Sequence, residues 1–500
     1  MDIFFFFYII RRILPALLLT ACLSVQMFAQ NNHSSEGSEF ADFRKELQGE
    51  YDGFRKEINA EYIDFLSKAW KEYRLFQGKT PDETPKPLSP VLSQEEKECR
   101  AVLVGADEGK EMTVEQKSAA KEAMERTILE KTSSEACFRK VTDSLQLDYF
   151  GAELRLHYQS RRFALSAITE RSVGTLWKEI ADSRFSSLLS DMLRHKEKMQ
   201  MNDWAYFLLA EKVAARLSTL QSEDCRTVFQ HFLLVQSGYD VRLARIDRFL
   251  VLLVPIREEV YTRPYLEMNG RTYYVFSNKD LKSYSNIFTY QLPDKLIQIP
   301  YLSLMICKEL LLPVQPKAFS IKAAGLEVKG EVNQNKIRFY KEYPSCELAV
   351  YARAVSDDKL MKQLLASLSA QLAEKPFVET LNQLLLWVQT GFRYQTDGEQ
   401  FGYEKPFFIE ETFYYPACDC EDRSILFARL VGRLLGKEVV LLDYPGHVAT
   451  AVCMDEGEVK GAYVSLQGKK FIVCDPTYMN AKAGQVIPSC KEKRPKVIKL

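Results

Sequence analysis

The chain has 500 residues, in which 67 lysines and arginines balance 67 aspartates and glutamates. With 46% apolar and 27% charged residues, it has the composition of a globular protein, long enough for about two to four domains. A net charge of zero gives no electrostatic reason to expect nucleic acid or an anionic membrane as the main partner. Eleven cysteines are too dilute for a disulfide-dense scaffold, and five histidines are too few for a histidine-rich metal site. Chemistry that needs an imidazole has five candidates: His33, His157, His195, His231 and His447.

Residues 1–29 have the pattern of an export signal. An apolar run is followed by Arg11 and Arg12, a second apolar run and small residues, which is the order found in secretory signals. Cleavage near Ala29 is favoured by the apolar residues after Cys22, but lipidation of Cys22 stays open because LTAC resembles a bacterial lipobox. The arginine pair argues against a third interpretation, an uncleaved membrane anchor. The pattern predicts a bacterial protein exported to the periplasm, the cell envelope or the medium.

Residues 30–78 contain an 11-residue repeat, FRKELQGEYDG, FRKEINAEYID and FLSKAWKEYRL, in which phenylalanine recurs at positions 43, 54, 65 and 76. Eleven residues make three helical turns, so the repeat predicts a long amphipathic helix with one aromatic stripe. This helix could lie on its own protein, or act as a partner-binding stalk or a right-handed helical assembly. The proline-rich letters KTPDETPKPLSP then predict a stiff linker over residues 79–93.

The region 94–345 is expected to begin with helices, which include residues 113–135 and continue to about residue 220. Strand patterns follow at 239–276 and at about 318–353, where FSIKAAGLEVKGEV and KIRFYKEY alternate apolar with polar residues. Residues 346–500 are predicted as a separate final domain. Its expected elements are a helix at about 357–391, an irregular aromatic stretch to 417, a helix at about 420–435, and strands near 438–454 and 462–474.

The segment YYPACDCEDRSILFARLVGRLLGKEVVLLDYPGHVATAV places a cysteine at the predicted start of a helix. Asp419 stands where an N-cap belongs, with Asp422 three residues later and Gly436 at the helix end. Cys420 therefore falls in the first turn, where the positive end of the helix dipole favours a thiolate.

A histidine and a carboxylate follow on the next predicted strands. The strand that begins at Val439 carries His447, and the strand FIVC ends at Asp475, next to Pro476. Cys420, His447 and Asp475 could therefore converge as nucleophile, base and the residue that orients the base.

The motifs DCEDRSIL, GHV and DPTY, in this order, resemble the transglutaminase-like superfamily of papain-type cysteine enzymes, in particular its bacterial cysteine-protease-like members. The resemblance covers about the last 120 residues and implies an α+β fold in which the cysteine-bearing helix packs on an antiparallel sheet. It implies Cys420 as nucleophile, His447 as general base and acid, and Asp475 as the residue that holds the imidazole. It also implies an oxyanion donor, for which Gln400 is the candidate beside the Cys420 backbone N–H, and a cleft lined by YQTDGEQFGYEKPFF.

Cys418 departs from the family pattern and raises the possibility of redox control or a disulfide. A metal site formed by Cys418, Cys420, Cys453, Cys474 and His447 is disfavoured, because Cys453 lies six residues from His447, roughly 20 Å along a strand. Ligands of one zinc ion lie about 2 Å from it. We therefore expect neither a metal nor a cofactor.

Residues 222–277 can be laid on residues 420–475 without a gap, at a constant offset of 198. Helix, glycine and strand positions agree in this overlay, which predicts a duplicated fold. The three positions of the Cys-His-Asp set read Ser222, Phe249 and Ser277 in the first copy. Phenylalanine cannot accept a proton, so this copy is expected to be catalytically dead and to act as scaffold, substrate shelf or binding module.

The sequence thus predicts an exported cysteine enzyme that transfers acyl groups from peptide or isopeptide amide bonds through a thioester. Hydrolysis is preferred over cross-linking, because water is the acceptor unless a cleft positions an amine. The expected partner is a peptide or protein substrate, not nucleic acid, with envelope association possible through the N-terminal helix or a lipidated Cys22. The alternative is a non-catalytic envelope or surface binding protein built on two such modules.

Overall fold

The computed structural model describes residues 56–81, 86–93, 101–108, 143–159, 161–183, 185–217, 222–293, 297–455 and 457–500. The predicted signal, Cys22, most of the predicted N-terminal helix and the predicted helix 113–135 lie outside these ranges. The chain divides into two units, Met1–Glu61 and Tyr62–Leu500. In the first unit, described residues 56–61 are helical, and all elements below belong to the second. Within the described ranges, no helix combines the length and apolar character that a membrane span requires.

The second unit mixes helices and sheets, as the α+β prediction requires. Its strands are β1 Lys71–Arg74, β2 Val102–Leu103, β3 Asp107–Glu108, β4 Ser144–Tyr149, β5 Ala152–His157, β6 Arg242–Ile246, β7 Phe249–Pro255, β8 Tyr265–Met268, β9 Arg271–Phe276, β10 Asn286–Thr289, β11 Pro316–Ala323, β12 Leu326–Asn333, β13 Arg393–Tyr394, β14 Ala417–Cys418, β15 Val439–Tyr444, β16 His447–Cys453, β17 Ala462–Leu466, β18 Lys469–Cys474 and β19 Lys496–Lys499. Its helices are α1 Glu170–Ala181, α2 Ser186–Lys198, α3 Asp203–Arg216, α4 Glu223–Gln236, α5 Gln334–Tyr340, α6 Leu348–Arg353, α7 Asp358–Leu372, α8 Phe377–Gly391, α9 Asp397–Gln400, α10 Ile409–Tyr414 and α11 Cys420–Leu435.

Two larger sheets share one internal order of strands. The first runs β1-β10-β6-β7-β9-β8, and the second runs β2-β17-β18-β16-β15-β19-β3. Five strands of the first, β10-β6-β7-β9-β8, correspond in order to β19-β15-β16-β18-β17 of the second. Each set follows a helix of similar length, α4 in the first case and α11 in the second.

The strand registers also agree at the offset of 198. Ile246 pairs with Phe249 as Tyr444 pairs with His447, and Leu252 pairs with Phe276 as Thr450 pairs with Cys474. Because a slip of one residue would turn every side chain to the other face, this agreement places equivalent positions on equivalent faces. The gapless overlay therefore describes a real repeat of topology, while its origin by duplication stays a prediction.

Several predicted elements differ from the observed ones. The predicted N-terminal helix ends at residue 67, and residues 71–74 instead form β1, paired antiparallel with β10 at the edge of the first sheet. The region expected to be helical contains the hairpin β4–β5. It forms strands because the buried residues Leu145, Leu147, Leu154 and Leu156 alternate with exposed residues. Tertiary pairing outweighs helix propensity in both segments.

The region after β12 was also predicted incorrectly. KIRFYKEY begins in helix α5, not in a strand, because the Asn333 side chain accepts a hydrogen bond from the Asn335 amide and caps the helix. The single helix expected at 357–391 is two helices, α7 and α8. Pro376 stands at the N-cap of α8 with extended backbone (φ −56°, ψ 151°) and separates them.

Helix α11 packs on β16, and this contact positions the candidate site. Ile425, Leu426, Val448 and Val452 are buried in one apolar core that also contains Cys420. The other face of the second sheet is covered by a separate apolar cluster, in which Val440, Leu442, Ala449 and Val473 are buried. The central strands β15, β16 and β18 are therefore buried on both faces.

Candidate active site

Cys420 is the first residue of α11, as the capping pattern predicts. Asp419 is the N-cap, and the Asp422 carboxylate accepts the backbone N–H groups of Asp419 at 3.2 Å and Phe407 at 2.8 Å. The helix ends at Gly436, whose φ of 62° is the left-handed conformation that glycine adopts without strain. Cys420 is fully buried.

His447 is the first residue of β16, directly after a turn through Pro445 and Gly446. The strand predicted from Val439 is therefore two strands, β15 and β16, and the turn places the histidine at the end of the hairpin. His447 Nε2 lies 2.8 Å from Asp475 Oδ2. The other ring nitrogen, Nδ1, is buried and has no hydrogen-bond partner among the described residues.

Asp475 follows β18, the strand that pairs with β16. Its Oδ1 accepts the backbone N–H groups of Thr477 at 2.9 Å and Tyr478 at 3.1 Å, while Oδ2 faces the His447 ring. These contacts occupy both carboxylate oxygens. The carboxylate can therefore fix the orientation of the ring and leave Nδ1 available for proton transfer.

The thiol lies beside the start of β16. The backbone of Val448, the residue after His447, acts to lower the pKa of the Cys420 thiol, and the Ser424 hydroxyl donates to the Val448 carbonyl at 2.9 Å. The Cys420 thiol is 3.2 Å from Glu421 Oε2. Within the described parts of the chain, no hydrogen bond joins the thiol to the His447 ring.

Gln389 on α8 holds the backbone around Asp475. This role was not predicted from the sequence. Its Nε2 donates to the carbonyls of Asp475 at 3.0 Å and Ala481 at 3.1 Å, and its Oε1 accepts the Asn480 N–H at 3.0 Å. The Arg423 guanidinium donates in turn to the Gln389 carbonyl at 3.3 Å. No local motif marks such a residue, because its partners lie about 90 positions later in the chain.

Buried carboxylates surround the start of α11, and sequence reasoning did not foresee their combined effect. Burial and the neighbouring carboxylates of Glu421 and Asp419 hold the pKa of the Cys420 thiol well above its ordinary value, with Lys86 opposing them. Burial and the Glu421 carboxylate therefore oppose the effect that the helix dipole was expected to have on the thiol in this state.

The carboxylates differ strongly in how readily they ionise. Burial and then Glu421 raise the pKa of Glu404 to about 7, and burial with Glu421 and Asp422 raises that of Asp397 to about 9. Burial acts to raise the pKa of Glu421 as well, but the Lys86 ammonium and hydrogen bonds lower it to about 2. Lys86 is therefore the counter-charge of this cluster, and Glu421 is its main ionised partner.

Lys86 comes from the stretch predicted as a linker. Its ammonium pairs with the carboxylates of Glu404 and Glu421 and lies 3.3 Å from Asp419 Oδ2, and only 9% of its side chain is exposed. We call residues 86–93 the strap, and the carboxylates of Glu404, Asp419 and Glu421 the acidic pocket. Residues 86–93 of the predicted linker are thus bound to the protein, with Lys86 beside the start of α11.

Gln400 ends α9, and both polar atoms of its amide are buried without a partner in the described ranges. An unpartnered amide is chemically able to donate to an oxyanion. The Tyr394 hydroxyl is a second unpartnered buried donor. Tyr394 pairs with Cys418 between β13 and β14, and burial, then the nearby Cys420, raises the pKa of its phenol. Sequence reasoning missed Tyr394.

Cys418 is a buried free thiol, so the structure contains no disulfide at this position. Burial raises the pKa of its thiol, which disfavours the thiolate that redox chemistry needs. The carboxylates near Cys420 include groups with ligand atoms within 4.8 Å of one another, such as Asp397, Glu404 and Glu421. The Lys86 ammonium already binds two of these three, Glu404 and Glu421.

The equivalent positions in the first repeat have different contacts. The Ser222 hydroxyl accepts the Cys225 N–H at 3.1 Å and caps α4. Phe249 begins β7, with the Lys279 ammonium 4.2 Å from its ring centroid, and the Ser277 hydroxyl accepts the Lys279 N–H. These side chains have structural roles and offer no base. Comparisons with family models, with curated proteins and with solved structures found no match for this chain.

Proposed function

We propose that the chain is an exported cysteine-dependent acyl-transfer enzyme with a transglutaminase-like catalytic domain at residues 346–500. Its substrates are peptide or isopeptide amides, and the acceptor is water. The observation that carries the proposal is the His447–Asp475 pair at 2.8 Å with an unpartnered Nδ1, on strand β16, which packs on the helix that begins at Cys420. Asp475 orients the ring through Nε2, and Nδ1 can accept a proton, as a general base requires.

The reaction follows from these roles. The Cys420 thiol gives its proton to His447 Nδ1, and the sulfur attacks the amide carbonyl carbon. The Cys420 backbone N–H and the Gln400 amide are the proposed donors to the oxyanion. When the tetrahedral intermediate collapses, the C–N bond breaks, the imidazolium protonates the leaving amine, and a thioester remains.

Hydrolysis of the thioester uses the same groups in reverse. His447 Nδ1 takes a proton from water, the hydroxide oxygen attacks the thioester carbonyl, and the C–S bond breaks. The imidazolium then returns the proton to the sulfur. Asp475 stabilises the imidazolium in both halves without taking its proton.

The proposal is tested by assaying Cys420→Ala and His447→Ala on a peptide library, with new amines measured by fluorescamine and new termini by mass spectrometry. Ser222→Ala is the matched control, since it removes the equivalent side chain of the first repeat. Loss of cleavage in both site variants, with cleavage retained in the control, supports the proposal. Full activity of Cys420→Ala would locate the chemistry elsewhere.

A second candidate function, a non-catalytic binding protein, is favoured by one observation. The Cys420 thiol is fully buried, and burial with Glu421 and Asp419 raises its pKa. A purely structural cysteine would have these properties. The two functions are separated by substrate turnover: a binding protein would retain peptide affinity and yield no cleaved product at any enzyme concentration.

A further inference from the structure

The strap is attached on both sides of the proposed catalytic residues. At one end, Lys86 lies in the acidic pocket at the start of α11. At the other, the Val91 carbonyl accepts the Met479 N–H at 2.8 Å, and the Ser93 N–H donates to the Met479 carbonyl at 3.0 Å. Met479 lies four residues after Asp475, so the attachments fall next to Cys420 on one side and next to Asp475 on the other.

In this arrangement the proposed catalytic residues are closed to substrate. The exposed fraction is 0% for Cys420, 5% for His447 and 1% for Asp475. A carbonyl carbon must come within about 3.5 Å of the sulfur before bond formation. A fully buried sulfur does not allow that approach, so turnover requires a neighbouring segment to move.

The strap is a neighbouring segment that few buried apolar contacts hold in place. Its large apolar side chains point to solvent, with Leu88 74% and Leu92 69% exposed, and Val91 alone is packed against a core cluster. Segments held by few buried apolar contacts open at low free-energy cost. The Lys86 ion pairs and the Met479 hydrogen bonds are the main attachments that opening would break.

The acidic pocket has the chemistry of a site for an ammonium group. Three carboxylates surround one lysine amine, and Asp419 Oδ1 is buried without a partner in the described residues. Without Lys86, the buried and ionised Glu421 carboxylate would lack a counter-charge, which is costly. Another ammonium group would restore the balance.

We propose that the strap is an internal occupant of the substrate cleft, with Lys86 filling a subsite for the lysine side chain of a peptide beside Cys420. The strap must leave before such a peptide can reach the thiol. This inference rests on the proposed function only in treating the cleft as a substrate cleft. The site then prefers a substrate with a basic side chain, and the strap acts as an inhibitor within the same chain.

The test measures how fast Cys420 reacts with two methanethiosulfonates of opposite charge, the cationic 2-aminoethyl and the anionic 2-sulfonatoethyl reagents. The thiolate attacks the reagent sulfur, forms a mixed disulfide and expels methanesulfinate. Peptide mapping reports modification at Cys420 itself. Both reagents need the same thiolate, so the ratio of their rates is independent of the thiol pKa.

In the wild-type chain we expect slow modification by both reagents. In Lys86→Ala, the cationic reagent should modify Cys420 about tenfold faster or more, because an emptied negative cleft concentrates cations. The ratio of the cationic rate to the anionic rate should rise by about the same factor. Lys79→Ala is the matched control, since Lys79 belongs to the same proline-rich stretch but pairs with Glu259 and is 63% exposed. It should leave both rates unchanged.

Ser93→Pro provides a second variant if Lys86→Ala does not fold. It removes the N–H donated to Met479 and leaves Lys86 and the carboxylates in place, so both reagents should react faster. Unchanged rates in folded variants, or equal acceleration of both reagents in Lys86→Ala, would overturn the inference. Labelling measures the accessibility of the Cys420 thiol and not the turnover of substrate. A chain that labels as expected but cleaves no amide would therefore refute the proposed function and leave the occupied cleft standing.

Discussion

Replacing Gln389 by leucine tests whether this residue holds the backbone around Asp475. The side chain makes three buried or part-buried hydrogen bonds, to the carbonyls of Asp475 and Ala481 and from the Asn480 N–H. Leucine has nearly the same volume but makes none of them. At about 1 kcal/mol net for each hydrogen bond, the free energy of unfolding should fall by about 3 kcal/mol.

Gln383→Leu is the matched control, because Gln383 lies on the same helix and donates one hydrogen bond, to the Ala324 carbonyl at 3.1 Å. Its expected cost is about 1 kcal/mol. Urea unfolding followed by tryptophan fluorescence gives both values. Amide cleavage should fall in Gln389→Leu and stay unchanged in Gln383→Leu. Equal destabilisation by the two variants, with equal activity, would refute the positioning role of Gln389.

Three further variants test the roles of Asp475, Glu404 and Ser222. Asp475→Asn keeps the shape of the side chain but removes the charge that stabilises the His447 imidazolium, so cleavage should fall about 10³-fold in steady-state assays; unchanged cleavage would contradict this role. Burial raises the pKa of Glu404 to about 7, so the unfolded chain releases this proton at lower pH than the folded chain. Stability should therefore decrease as pH rises from about 4.5 to 7. Urea titrations across this pH range should show a smaller decrease of stability in Glu404→Gln than in the wild-type chain. The control Glu399→Gln, at an exposed position, should show the wild-type decrease. Identical pH profiles of stability for Glu404→Gln and the wild-type chain would exclude the effect. Ser222→Ala removes the cap of α4 and should cost about 1 kcal/mol of unfolding free energy without loss of cleavage; a loss of activity would place the first repeat in the chemistry.

The elements that carry the candidate site follow from local signals in the sequence. Asp419, Asp422 and Gly436 mark both ends of α11, and the strands predicted from Val439 and at FIVC coincide with the β15–β16 hairpin and with β18, although the turn between β15 and β16 was not predicted. Each signal depends on residues within a few positions, so short-range physics is enough to predict these elements.

The remaining features of the site depend on contacts between distant segments. Lys86 reaches its carboxylate partners more than 300 positions away, and the proline content alone indicated a stiff linker. The burial that raises the pKa of the Cys420 thiol comes from the packed tertiary structure. For the same reason β1 was mistaken for helix, because its strand partner β10 lies about 215 residues later.

The most direct test of the central claim is to trap the acyl group on the proposed nucleophile. The wild-type chain is incubated with p-nitrophenyl acetate, quenched in acid, and mapped by mass spectrometry before and after treatment with neutral hydroxylamine, which cleaves thioesters. We expect an acetyl group on Cys420 that hydroxylamine removes, with slower formation in His447→Ala and none at this position in Cys420→Ala. Acetylation of other residues at equal rates in all three proteins, with Cys420 unmodified, would contradict it.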